Sequence, residues 1–411
     1  MIAFARFIDT LLATLPRGLA LQWPGGRAGP DGSAVQLTMR RRQLLADLAQ
    51  GRIGELADAY VRGDLEIEGS LPDVMAVAAT LVGDPVQRGA RPVWLRWLVH
   101  LRSHWRHRPW RDACLIRRHY DLSDAFYGLW LDPLRVYSCA YYSRPGQTLA
   151  QAQQEKLDLV CRKLQLGPGQ RFLDVGAGWG ALLIWAAQHH GVRGLGITLS
   201  RNQHDHASHL IEAAGLRGQV EVRLLDYRDL QRAGPFDRIA SVGMFEHVGR
   251  AQMGRYFDGL RRLLRPGGLL LNHAIAAGGI ENDRLGAGMG DFIERHIFPG
   301  GELVHVARAI EALAGSGLEL VDAENLRPHY ARTLWAWSDR LEHELDRARA
   351  LTDEATVRAY RLYLAGSALC FERGWLSLYQ LLATRPDQAV PEVRAWAARA
   401  DYPFTRGHMP A

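Results

Sequence analysis

The sequence predicts an α/β protein: an open, mostly parallel sheet with helices on both faces, preceded by a small separate module. Three observations carry this. From about residue 150 onward, short apolar runs alternate with helical stretches. The first of those runs leads into a glycine-rich loop and a helix, in RFLDVGAGWGALL at 171–183. The composition also shifts at 83–111, which divides the first eighty residues from the rest.

Taken in order, Phe4, Phe7, Ile8, Leu11, Leu12 and Leu15 recur at helical spacing and describe one face of an amphipathic helix. Such a helix suits packing on its own domain or lying on a membrane surface. Arg6 and Asp9 interrupt the stretch, so it does not read as a secretory signal. GELADAYVRGDLEIEGSLPDVMAVAATLV then reads as helix, short alternating strand and helix, which closes an accessory module at 1–82. Residues 83–111 form a linker rich in Arg, His, Trp and Pro. Its one basic helix, with Trp94, Trp97, Arg91, Arg96, Arg102 and Arg106, suits lipid headgroups or a connection packed on the main domain. The main domain occupies 112–411.

In that domain a helix ends at the Gly167–Gly169 turn. Strands are expected at 172–175, 192–198, 219–226, 236–243 and 269–275, with helices at 202–214 and 252–264 between them. The rhythm then breaks. Residues 277–304 form a long insertion carrying Phe292, Ile293, Ile297 and Phe298, of the kind that makes a lid or pocket. A helix at 304–314, a strand at 318–324, a helical section at 331–365 with Trp335 and Trp337, and a last strand, WLSLYQLLA, complete the domain.

Composition narrows the function classes. With 50 basic and 44 acidic residues the net charge is +6, which favours an anionic partner: nucleic acid, a membrane surface or an anionic substrate. No nucleic-acid motif accompanies the aromatic and basic residues. Cys114, Cys139, Cys161 and Cys370 form no C-x-x-C pair, so neither a metal site nor a disulfide framework is expected, and a reducing cytosol fits. No apolar run reaches the roughly 18 residues of a membrane span.

Gly176, Gly178 and Gly180 let the backbone turn tightly and approach a ligand where a helix N-terminus offers free N–H groups. A dinucleotide site would add an acid at the end of the second strand. LSRNQ stands there instead, which disfavours a nicotinamide cofactor. Ligands of open α/β sheets lie at the carboxyl ends of the strands. Those ends carry Asp226 and Tyr227, suited to the edge and face of an adenine, then Glu246 and His247, then His273. If the strand order is the common one, Glu246 and His273 are neighbours able to bind an anion or move a proton.

HYDLSDAFYGLWLDPLRVYSCAYY (119–142), LDVGAGWG, DYRDL, GMFEHVG, LNHAI and IFPGGEL together resemble the cyclopropane-fatty-acyl-phospholipid synthases and the related mycolic acid cyclopropane synthases, over about 111–385. The resemblance implies a Rossmann-like S-adenosylmethionine-dependent methyltransferase sheet of seven strands, the last antiparallel, with a small N-terminal α+β domain. It implies methylene transfer from S-adenosylmethionine to a cis double bond of a phospholipid acyl chain. A carbocation would be deprotonated by bound bicarbonate, leaving S-adenosylhomocysteine. The ion's cradle carries over to Cys139, Glu246, His273, Ile275 and Tyr330. The methyl donor's site carries over to Tyr137, Ser138, Gly176, Gly178, Thr198 and Gln203, beside Asp174, Asp226 and Tyr227. Tyr127, Trp130, Tyr142, Phe245, Phe292 and Trp335 are candidates for an aromatic pocket around the cation. The expected setting is cytoplasmic and peripheral, on an anionic inner-membrane surface, with a homodimer possible. A methyltransferase on the same scaffold that leaves a methyl or methylene branch on a lipid, or that acts on another small molecule, stands as the alternative.

Overall fold

The computed structural model describes residues 18–86, 122–230, 233–280, 282 and 285–386. The amphipathic stretch at 4–15, the Trp94–Trp97 region and Cys114 lie outside the described residues.

The N-terminal module holds β1 (Leu19–Trp23), β2 (Gly26–Ala28), β3 (Val35–Met39), α1 (Gln43–Ala49), α2 (Ile53–Arg62), β4 (Leu65–Glu68) and α3 (Leu71–Val82). Its sheet runs β2-β1-β3-β4, with β1 and β3 parallel and the other pairs antiparallel. In β3 every second residue is buried, so one face of the sheet carries the helices. Gly63, left-handed at φ 77°, stops α2, and Ser70 caps α3 by accepting from Asp73 N–H.

The second part contains α4 (Asp124–Trp130), α5 (Leu149–Lys163), β5 (Arg171–Val175), α6 (Ala181–His190), β6 (Arg193–Thr198), α7 (Arg201–Ala213), β7 (Val220–Leu224), β8 (Phe236–Val242), α8 (Met253–Leu263) and β9 (Leu264–Ala277). There follow α9 (Met289–His296), α10 (Val306–Gly315), β10 (Glu319–Asn325), α11 (Arg327–His343), α12 (Leu345–Leu351), α13 (Glu354–Glu372) and β11 (Leu376–Thr384). The seven strands are ordered β10-β11-β9-β8-β5-β6-β7. Strand β11 is antiparallel to both its neighbours, while β5–β6, β6–β7, β5–β8 and β8–β9 pair in parallel. The α/β expectation and the antiparallel last strand are thus found. The chain moves outward from β5 to β7, then returns to β8 on the other side of β5. That reversal opens a crevice at the carboxyl ends of β5 and β8.

Sheet strands covered on both faces read as apolar runs rather than alternations. Successive residues of β5 show why: Phe172 packs with Leu183 and Ala186 on one face, Leu173 with Ile239 and Phe257 on the other.

The N-terminal module does not stand on a core of its own. Leu21, Leu37, Leu56 and Met75 belong to one continuous cluster with Trp130, Trp337, Tyr360 and Phe371. Arg358 of α13 donates to Tyr60 O (3.0 Å) and lies 2.9 Å from a Glu66 oxygen. Helix α2 also holds α9. Gly54 N–H donates to Ala287 O at 2.9 Å, and a Cβ on Gly54 would sit 2.3 Å from Gly288 O. Buried Asp58 contacts His296 Nε2 at 2.7 Å and pairs with Arg295. The 277–304 segment, expected as an irregular insertion, therefore contains a helix. It is short and flanked by glycines, so it left no periodic trace in the sequence.

Candidate active site

The crevice beside β5 forms a cleft of about 150 Å³. Tyr137, Ser138, Asp174, Gly176, Gly178, Thr198, Gln203, Asp226 and Tyr227 all line it. All nine residues proposed for the methyl donor thus share one cleft. Gly176 and Gly178 adopt φ of +84° and +55°, the left-handed region that favours glycine. Gly176 and Ala177 N–H both donate to Ile197 O (3.0 and 2.9 Å), which ties the loop to β6. A Cβ on Gly176 would lie 3.1 Å from Met244 Cβ.

Asp174 is buried, and its Oδ2 has no hydrogen-bond partner among the described residues. Burial pushes its carboxyl up to about 7, against the pull of the Lys156 ammonium. Lys156 is itself buried and donates to Ser138 Oγ at 3.0 Å. Burial lowers it to about 8, opposed chiefly by Asp132. Thr198 Oγ1 donates to Gln203 Oε1 (2.8 Å), which fixes that amide. Asp226 lines the cleft but is engaged by its own neighbour: Arg228 reaches both carboxylate oxygens, at 2.8 and 2.6 Å.

Tyr137, Ser138, Gly243 and His247 also border a second cavity, of about 240 Å³. Cys139, Glu246, His273, Ile275 and Tyr330, the five residues proposed for the anion cradle, all line it. Glu246 stands on a single 3₁₀ turn, Phe245–His247, just after β8. Its Oε1 accepts from Ile275 N–H at 2.8 Å. Its Oε2 is buried without a partner among the described residues, and burial pushes the carboxyl up to about 7.

His273 lies on β9, opposite Gln380 of β11. Its Nδ1 is 3.1 Å from Gln380 Nε2, and Gln380 Oε1 accepts from Lys163 Nζ at 2.7 Å. His273 Nε2 is buried and unpartnered among the described residues. Burial, with Lys156 and Lys163 nearby, holds the imidazole well below its usual range, so it is neutral at pH 7. The Cys139 thiol donates to Ala140 O at 3.1 Å; burial pushes it up, so it stays protonated. A protonated thiol is a poor nucleophile, which leaves Cys139 a lining group.

The aromatic expectations need correction. Of the six candidates, Phe292 alone lines the cavity among the described residues. Tyr127 and Trp130 are fully buried in the core behind it. Phe245 packs on Tyr256 and Phe257. Trp335 donates to Glu372 (2.8 Å), and Tyr142 lies under the Arg332 guanidinium. Phe298, Tyr363, Phe371 and Trp375 serve in their place, with Tyr137 at the border. Ile53, Met75, Ala78 and Val82 of the N-terminal module form another wall that sequence reasoning missed. Packing between residues hundreds apart decides which aromatic faces inward, and no local pattern records it.

This strand order, with a cleft at the β5–β8 crevice, defines a Rossmann-like S-adenosylmethionine-dependent methyltransferase fold. Residues 107–381 match the family model described as mycolic acid cyclopropane synthetase. A probable fatty acid methyltransferase of Pseudomonas putida is 43% identical over 379 residues, 90% of this chain and 92% of its own. A probable fatty acid methyltransferase of Mycobacterium tuberculosis is 35% identical over 96% of this chain and 98% of its own. The crystal structure of mycolic acid cyclopropane synthase CmaA1 complexed with SAH and CTAB superposes with a TM-score of 0.62 at 36% identity, covering 66% of this chain and 98% of that one. The chain belongs to the mycolic acid cyclopropane synthetase family.

Proposed function

We propose that this protein transfers a one-carbon group from S-adenosylmethionine to the cis double bond of an unsaturated phospholipid acyl chain and closes it to a cyclopropane. One observation carries the reading. Two buried polar atoms without a partner among the described residues, Glu246 Oε2 and His273 Nε2, belong to residues that line a mainly apolar cavity adjoining the cofactor cleft. Unpartnered buried polar atoms are costly and point to a missing ligand.

S-adenosylmethionine, when bound, supplies an activated methyl, which a weak alkene nucleophile requires. In the cleft, the glycine loop admits its backbone-close approach while Gln203 and Tyr227 face it. The SAH held by the CmaA1 structure supports this assignment. Bicarbonate, when held between Glu246 and His273, supplies a base. His273 offers a neutral N–H donor to an anion's oxygen, and the Glu246 carboxyl accepts an acid O–H from it, so two negative charges do not face each other unscreened. Tyr137, Phe298, Tyr363 and Trp375 present π-faces that tolerate a transient carbocation on the chain and exclude water from it.

No helix among the described residues is long and apolar enough to cross a membrane. The net charge of +6 supports contact with an anionic membrane surface. The relatives named fatty acid methyltransferases favour a second reading, in which the chain keeps a methyl branch.

One experiment separates the two. Purified protein, S-adenosylmethionine and vesicles of cis-unsaturated phospholipid are incubated with and without bicarbonate. The fatty acids are then examined by mass spectrometry and proton NMR. A gain of CH₂ with high-field ring protons, dependent on bicarbonate, is expected. The same gain without ring protons establishes the branching reaction. No gain, with cofactor binding demonstrated, overturns the lipid assignment.

A further inference from the structure

The chain has 50 basic residues, and only Lys156 and Lys163 are lysines. Both lie on α5, seven residues and so about two turns apart, on one face of the helix. Both are buried, at 2% and 1% exposure. Each serves one site: Lys156 lines the cofactor cleft and donates to Ser138, whereas Lys163 stands behind the cavity and touches Gln380, the partner of His273. Wherever a surface cation serves, this chain uses arginine. A lysine stands where a compact ammonium must fit among packed groups.

We infer that Lys163, acting through Gln380, is a positioning residue that holds His273 as its Nε2–H tautomer, so that the ring presents a hydrogen-bond donor to the cavity. The argument is one of donors and acceptors. An ammonium can only donate, so the Gln380 group 2.7 Å from Lys163 Nζ is the carbonyl oxygen. The amide nitrogen then faces His273 Nδ1 and donates to it. A neutral imidazole whose Nδ1 accepts carries its proton on Nε2, the atom that is buried without a partner among the described residues. The sheet builds this relay in register. Glu324 of β10, Gln380 of β11 and His273 of β9 are direct cross-strand partners in one row. Glu324 pairs with Lys163 from the far side, so the ammonium is held from both directions. The inference rests on the reading that this end of the cavity receives an anion, for which a donor is needed.

The test reads the tautomer and the turnover separately. Protein labelled with ¹⁵N-histidine is examined by long-range ¹H–¹⁵N NMR, with the His273 signals identified by their loss in His273→Gln. The wild type is expected to show a neutral Nε2–H ring. Gln380→Glu replaces the amide donor by a carboxylate acceptor and should move the proton to Nδ1. Turnover on cis-unsaturated phosphatidylglycerol vesicles should then fall about 100-fold, with S-adenosylhomocysteine affinity within about twofold as the control for folding. Lys163→Met frees the amide to turn and should give a mixture of tautomers. An Nδ1–H ring in the wild type overturns the inference, as does near-normal turnover in Gln380→Glu once its tautomer has switched. An Nε2–H ring in a wild type that modifies no lipid supports the tautomer assignment while sinking the lipid reading.

Discussion

The cofactor cleft and the apolar cavity meet at Tyr137, Ser138, Gly243 and His247, but they are assembled from different material. Much of the cleft is made at strand ends, by the loop after β5, the ends of β6 and β7 and the turn after β8, with Tyr137, Ser138 and Lys156 closing it. Its shape follows from backbone conformation and close packing, as with Gly176 against Met244. The cavity draws its walls from the N-terminal module, α9, α11, α13 and β11 together. The first is a local device that a short motif can encode. The second exists only after distant segments have packed.

If the two are functionally distinct, they should fail separately. The largest effect is expected from Glu246→Gln, which keeps an acceptor for Ile275 N–H but removes the carboxylate. Lipid turnover should drop by about 10²–10³-fold while S-adenosylhomocysteine affinity, measured by calorimetry, stays unchanged. Equal loss of both would erase the distinction.

The same variant tests the electrostatics. The Glu246 carboxyl is raised by burial from 4.5 to about 7. Between those values the folded state keeps a proton that the unfolded chain has released, so stability falls as pH rises through that window and stays lower above it. Ligand-free Glu246→Gln should therefore be more stable than wild type at pH 8, by up to about 3 kcal/mol, and equal to it near pH 4. Denaturant melts at the two pH values check this; a variant less stable than wild type at pH 8 contradicts it.

Gly176→Ala should do the reverse of Glu246→Gln. A side chain at φ +84° and 3.1 Å from Met244 strains the loop, and S-adenosylhomocysteine affinity should fall about tenfold. Product identity should not change. The smallest effect is expected from Ala78→Phe, which pushes a ring into the cavity from α3. In vesicles of mixed acyl chains it should shift the ratio of products among double-bond positions a few-fold, with cofactor affinity untouched. A fall in total turnover at a constant ratio would show that this wall does not read the chain.

All seven strands of the main sheet and the glycine loop were legible before any coordinates, the parallel ones because a buried parallel strand reads as an unbroken apolar run between turn signals. The strands β1–β3 were not: they span only five, three and five residues, and Pro24 and Gly25 stand between the first two. Helix α9 was hidden for a similar reason, since it spans only eight residues between glycine turns.

Amino-acid sequence alone determined the sheet and the glycine loop, which depend on local runs and turn residues, and set Glu246 and His273 at strand ends; Cys139, Ile275 and Tyr330 were proposed beside them only through the family resemblance. Tertiary structure alone decided that Phe298, Tyr363 and Trp375 rather than Tyr127 and Trp130 line the cavity, that the N-terminal module supplies one of its walls, and that buried Lys163 stands behind His273 through Gln380. The physical reason is range. Strand and loop formation respond to neighbours in the chain, whereas the direction of a buried side chain is set by whatever distant surface packs against it.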